Sequence, residues 1–211
     1  MVKNCIWGTL VLAIALILAG CDNGTTPDES PPGEGQLESG YFGDTLIISG
    51  QVYNENGTLY KGNHASVTSG VGGSGIIENG ILTFSIGTPS PLKSIALEFS
   101  AGSEWGYCFN GITFSQNSAQ VASLVQLYFD GSSDIQRKNM DTGENVDYLY
   151  VDRDVTVTGT GKTITEGGST ISFKNLELKL KKGWNAIYYD ISGGNITAGD
   201  LSSVHWMRWG I

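Results

Sequence analysis

From residue 46 onward, in one short segment after another, apolar side chains recur at every second position, and nowhere do they recur at helical spacing for as long as three turns. Successive side chains on a strand point to opposite faces, so a period of two marks strands with one buried face, whereas an amphipathic helix repeats every ~3.6 residues. Gln51-Val52-Tyr53 runs into Asn54-Glu55-Asn56-Gly57, and Ile76-Ile77 meets Ile81-Leu82 across Asn79-Gly80. Asn and Gly tolerate positive φ, which a tight hairpin turn requires, so Asn79-Gly80 predicts a hairpin. Phe84 and Ile86 extend its second strand towards Pro89 and Pro91, which end it. Ile95, Leu97 and Phe99 alternate and predict a further strand over Ser94 to Phe99.

The second half behaves alike. Val121, Val125, Leu127 and Phe129 share a face over Val121 to Phe129, a segment that fits a strand or a helical turn capped by Ser118. Leu149, Val151, Val155 and Val157 form an aliphatic face, which places Tyr148 and Tyr150 on the opposite, exposed one. Between Ser169 and Lys182, Ile171 and Phe173 have odd parity but Leu176, Leu178 and Leu180 have even parity. One extra residue at Lys174-Asn175 accounts for the change and predicts a β-bulge or tight turn. Trp184 to Ile191 and Val204 to Trp209 complete the strands. Thirty glycines, and 16% charged residues where about 25% is usual, suit many turns and little exposed helix. The fold class expected is all-β: a β-sandwich, or sandwiches, of short antiparallel strands. A division at Ala101-Gly102-Ser103 gives an N-terminal module of residues 45–100 and a C-terminal module of 101–211; one continuous sandwich fits nearly as well.

Residues 1–20 read as a leader: Lys3, then the apolar run Leu10 to Leu18, then Leu18-Ala19-Gly20-Cys21. Small residues before a cysteine resemble the bacterial lipoprotein box, in which the thiol takes a diacylglycerol. Cys21 is therefore the expected lipidation site, with the protein anchored to a bacterial membrane, the outer membrane or cell surface more than the inner. Residues 21–44 follow as an acidic tether, expected disordered, with six acids, three prolines and no Lys or Arg. Loss of Lys3 leaves 11 basic and 21 acidic residues, a net of −10, of which the tether holds −6 and the body −4. That balance excludes the basic footprint of a nucleic-acid binder. Cys5 leaves with the leader and Cys21 carries lipid, so Cys108 has no disulfide partner in the chain.

Few motifs carry chemistry. Gly70-Val71-Gly72-Gly73-Ser74-Gly75 matches G-x-G-x-x-G, but a hairpin follows it rather than a helix, so it is a glycine-rich loop. Gly159-Thr160-Gly161-Lys162-Thr163 resembles the end of a phosphate loop, yet Thr156 stands where the first glycine belongs, and a hairpin turn is expected. Asp141, Asn145 and Asp147, with Asp152 and Asp154 beyond, form the densest set of oxygen ligands and are the calcium candidates; as turn formers they need no ion. Nothing in the spacing brings His64, His205 and Cys108 together for zinc or a thiol nucleophile. Tyr148, Tyr150, Trp184 and Trp209 are the candidate recognition surface, because exposed aromatic rings stack on sugars or anchor protein contacts. No cofactor is implied, and no catalytic residues are assigned.

Ile47-Ile48-Ser49-Gly50-Gln51-Val52-Tyr53-Asn54-Glu55-Asn56-Gly57-Thr58-Leu59, ending at Ser85-Ile86, is similar in rhythm to transthyretin-like and carboxypeptidase-regulatory-like β-sandwich repeats, with Asn63-His64 departing from the usual pair. The run from Tyr150 to Gly159, with Leu176-Glu177-Leu178-Lys179-Leu180-Lys181-Lys182-Gly183-Trp184-Asn185, resembles small spirochaete, Treponema-like, lipoproteins of undefined function. The resemblance implies a surface or periplasmic lipoprotein with a β-rich body and brings no catalytic residues. The expected function is a non-enzymatic binding or scaffold module, adhesin-like, with an envelope or extracellular protein or glycan as partner. The alternative is a glycan-binding module, or a glycoside hydrolase whose two carboxylates lie apart in sequence.

Overall fold

The computed structural model describes residues 40–99, 107–129, 133–139, 145–164, 170–190, 194–198 and 204–209. In chain order the first strands are β1 (Tyr41–Gly43), β2 (Leu46–Tyr53), β3 (His64–Thr68), β4 (Ser74–Glu78), β5 (Ile81–Ile86) and β6 (Lys93–Ser94), followed by one helical turn, α1 (Ile95–Glu98). After it come β7 (Tyr107–Phe114), β8 (Gln120–Leu124), β9 (Leu127–Phe129), β10 (Ser133–Asn139) and β11 (Asn145–Val151). The last are β12 (Val155–Ile164), β13 (Thr170–Leu180), β14 (Gly183–Asp190), β15 (Asn195–Ala198) and β16 (Val204–Trp209). The fold is all-β, as the period of two predicts.

The local signals act as their chemistry dictates. Asn79 and Gly80 take φ of 51° and 78°, and the hairpin they make pairs β4 with β5 from Glu78↔Ile81 to Ser74↔Ser85. The parity change at Lys174-Asn175 is a bulge: Gly159 faces Leu176 and Gly161 faces Phe173, so three steps on β13 match two on β12. Phe173, Leu176, Leu178 and Leu180 are all buried as a result.

The strands hydrogen-bond in the order β16-β2-β5-β4-β3-β9-β10-β11-β14-β15-β13-β12-β7, with β1 joined to β14, β8 to β11 and β6 to β8. Pairing is antiparallel except at β13–β15 and β16–β2. β10 also pairs with β16 from Asp134↔Trp209 to Asn139↔Val204, which curls the first seven strands of that order round one core. The sheet as a whole stays open and runs on to β7.

There are two cores, and β11 and β14 serve both. Val146, Tyr148 and Tyr150 of β11 and Trp184 and Ala186 of β14 belong to the first, with Leu46, Phe84 and Phe129. Leu149 and Val151, with Ile187 and Tyr189, belong to the second, with Ile95, Phe173 and Leu178. Burial of both faces makes β11–β14 a middle layer, the position in which a strand reads as a continuous apolar run.

Four expectations need correction. Tyr148 and Tyr150 are not exposed: at 3% and 4% exposure they fill the first core, because their strand is central and has no solvent face. The segment Ser94 to Phe99 is not a strand. The Ile95 amide donates to the Ala119 carbonyl at 3.0 Å and the chain then coils, so Ile95, Glu98 and Phe99 turn inward at helical spacing and Leu97 is left outside. Gly159 to Thr163 is not a hairpin turn but the interior of β12. The expected tether stops short of residue 44: Tyr41 pairs with Asn185 and Gly43 with Trp184, and the Phe42 ring meets Tyr148 edge-on at 5.4 Å. Tyr41 and Phe42 supply the apolar contact that the acids before them cannot. Residues 1–39, with the leader and Cys21, lie outside the described residues.

Candidate functional site

Among the described residues two carboxyls are buried, Glu98 and Asp147, and both belong to the second-core side. The helical turn carries Glu98 inward three residues after Ile95, where Lys93 Nζ lies 2.5 Å from Oε2 and the Ser123 hydroxyl donates to Oε1. Ser123 faces the same side because it stands opposite Leu149 in the β8–β11 ladder. Asp147, opposite Ile187, has the parity of Leu149 and turns into the same core. Burial pushes its carboxyl up to about 7; the nearby Glu98 adds to that, while the Tyr189 hydroxyl and the charge of Lys138 oppose it. Lys138 is itself held below the usual lysine range by burial, against the pull of Asp147.

This cluster can hold a proton near neutrality, and both of its carboxyls are buried. Asp147 is 6% exposed and Glu98 0%, so the pair does not face a glycosidic bond across open space. It also departs from the expected calcium loop. Asp147 is buried on the side of Leu149 and not in an open loop, and Asp141 lies outside the described residues. Asn145 opens β11 opposite Lys138. Beyond the strand, Asp152 accepts the Gln120 amide at 2.9 Å and Asp154 the Lys182 amide at 2.8 Å, so both acids fasten turns. The Arg153 guanidinium beside Asp152 holds that carboxyl below the usual carboxylate range. Among the described residues, no three His, Cys, Asp or Glu side chains gather where an ion could sit.

The candidate aromatic surface is not assembled either. Trp184 is fully buried and donates its indole N–H to the Gly87 carbonyl at 2.9 Å, and its ring meets Tyr150 edge-on at 5.6 Å. The Tyr148 hydroxyl accepts from Arg137 at 2.6 Å. Trp209 is placed on β16 opposite Asp134 of β10, with β10 standing between β16 and β11. Three of the four therefore hold the first core together instead of meeting a ligand.

Two features do face solvent. The outer face of β2, β5 and β4 carries Ile47, Ile76 and Ile81, which are 67%, 45% and 48% exposed. Ladder pairing sets them among Ser49, Thr83 and Ser85, with Glu78 at one end as the charged residue of this face. Elsewhere, a cleft of about 360 Å³ lies between the Ser69–Val71 turn and the chain from Ser123 to Tyr128. Its wall exists because β8 ends at Leu124 and β9 starts at Leu127, leaving Val125 and Gln126 out of the ladder.

No helix among the described residues is long and apolar enough to cross a membrane. No family model, curated protein or solved structure matches the chain.

Proposed function

We propose that this chain is a lipid-anchored cell-envelope protein, held to a bacterial membrane through Cys21, whose β body is a binding or scaffold module and not an enzyme. The anchor rests on Leu18-Ala19-Gly20-Cys21 after the apolar run of residues 10–18. The observation that carries the binding role is the outer face of β2–β5–β4, where Glu78 at one end is the charged side chain. Three isoleucines more than two-fifths exposed on adjacent strands, ringed by short hydroxyl side chains, form a flat apolar patch of the kind that protein contacts cover. A second envelope protein with its own flat apolar surface is the partner this face fits.

The test places a photo-crosslinking residue at Ser49 or Thr83 of the full chain in its host. A discrete adduct is expected, lost when Ile47 and Ile81 are changed to Ser, while Cys21→Ser moves the protein from the membrane to the soluble fraction. No adduct from this face would overturn the binding role, and an unchanged fractionation of Cys21→Ser would overturn the anchor.

A further inference from the structure

The cleft between the Ser69–Val71 turn and residues 123–128 is a second surface feature, separate from the isoleucine face, and its polar groups are already held in place. Gln126 Nε2 donates to the Tyr128 hydroxyl, and Gln136 Nε2 on β10 donates to Gln126 Oε1 at 3.3 Å. The register explains the second bond: Ile135 stands opposite Leu127, so Gln136 falls beside Gln126. With its amide tied at both ends, Gln126 keeps one N–H and one lone pair directed elsewhere. The Tyr128 oxygen accepts from Gln126 and so retains its own proton to donate. Across the cleft, Ser69 Oγ donates to the Gly72 carbonyl at 2.5 Å and accepts from the Val71 amide at 3.3 Å, which fixes the rim. Val71, Leu124 and Val125 supply apolar surface between these groups.

We propose that this cleft binds an uncharged pyranose unit. The described residues lining it offer hydroxyls, an amide and apolar side chains, groups that match a neutral polyol. A sugar ring offers the complement: hydroxyls that both donate and accept, and a C–H face for apolar side chains. The volume stands near the lower end of the ~300–1,000 Å³ range of small-molecule sites, which suits a terminal or free sugar over a long chain. Pre-set amide and phenol groups lower the ordering cost of binding.

The test titrates the isotope-labelled full chain in detergent with methyl glycosides of glucose, mannose, galactose and N-acetylglucosamine, following backbone amide resonances. At least one is expected to saturate with Kd on the order of 1 mM, moving the resonances of Gly70, Val71, Val125 and Gln126. Tyr128→Phe and Gln126→Leu are each expected to weaken it about tenfold. Tighter binding of the matching trisaccharide assigns the site to a glycan terminus, and equal binding to the free sugar. The proposal fails if none of the four moves these resonances at up to ~50 mM, if saturating shifts map elsewhere, or if both folded variants bind as the parent does. It fails equally if glucuronate or glucose 1-phosphate binds more tightly than the neutral glycosides.

Discussion

Asp147 is the residue at which the interior is most sensitive to pH. In an unfolded chain its carboxyl titrates near 3.9, whereas in the folded protein burial raises it to about 7. A folded-state value above the unfolded one means that the native state binds the proton more tightly. This group therefore costs nothing at pH below about 4, costs progressively more between about 4 and 7, and costs its full amount above that. Each unit is worth ~1.4 kcal/mol, so the effect is on the order of a few kcal/mol. Urea midpoints are expected to rise as pH falls from 8 to 5, and Asp147→Asn is expected to flatten that slope and to stabilise the protein at pH 8. A flat profile in the parent, or a slope that survives Asp147→Asn, would contradict this account. Asp152 works in the opposite sense, since its held-down carboxyl loses its advantage only at acid pH, outside the window of Asp147. Of this cluster only Asp147 is legible in sequence, and there it reads as a turn acid. Glu98 reads as the exposed member of an alternating strand, because nothing local says that Ala119 will capture the Ile95 amide. The cleft is equally hidden, since Gln126 and Gln136 meet only through the β9–β10 register.

At the scale of elements, strand signals survive into the structure where the determinant is local. The Asn79-Gly80 turn depends on backbone φ at two adjacent residues, and the bulge on β13 on counting parity along one strand. Where the determinant is a neighbour in space, the sequence misleads: β1 forms because Gly183, at φ +109°, lets the Gly43 carbonyl approach to within 2.3 Å of where a Cβ would stand. The same reasoning separates two glycines in successive turns, Gly70 between β3 and β4 and Gly80 between β4 and β5. A Cβ on Gly80 would sit 1.8 Å from the Tyr60 carbonyl oxygen at φ +78°, whereas one on Gly70 would meet nothing within 4 Å. Gly80→Ala is therefore expected to cost about 1–3 kcal/mol, through strain and loss of the Gly80 to Gly62 hydrogen bond. Gly70→Ala should stay within ~0.5 kcal/mol of the parent. Chemical denaturation of the two variants decides it, and equal costs would show that the turn is not under this constraint.

For the whole molecule, the consequence of the shared β11–β14 layer is cooperativity. Two uninterrupted apolar runs, Tyr148-Leu149-Tyr150-Val151 and Ala186-Ile187-Tyr188-Tyr189, carry the signal of a strand buried on both faces, and in sequence it competes with the simpler alternation of Leu149, Val151, Val155 and Val157. A chain cut near residues 101–103 keeps the second core except for Ile95 and Phe99 but strips the first from the other face of this layer. Val146, Tyr148, Tyr150, Trp184 and Ala186 would then meet water, having lost the part of their core supplied by Leu46, Phe84 and their neighbours. Losing burial of a large apolar side chain costs ~1.5–3 kcal/mol, and several such losses equal the ~5–15 kcal/mol that holds a domain folded. Residues 101–211 alone are thus expected to bind a hydrophobic dye and to melt without a cooperative transition. The full chain should show a single transition, with coincident midpoints for tryptophan fluorescence and far-UV circular dichroism. Tyr148→Ala on one face and Leu149→Ala on the other should both lower that one midpoint, because neither core can open without the ladder that lines the other. A cooperative melt of the isolated 101–211 fragment, or two resolved transitions in the full chain, would mean that the layer divides the molecule instead of joining it.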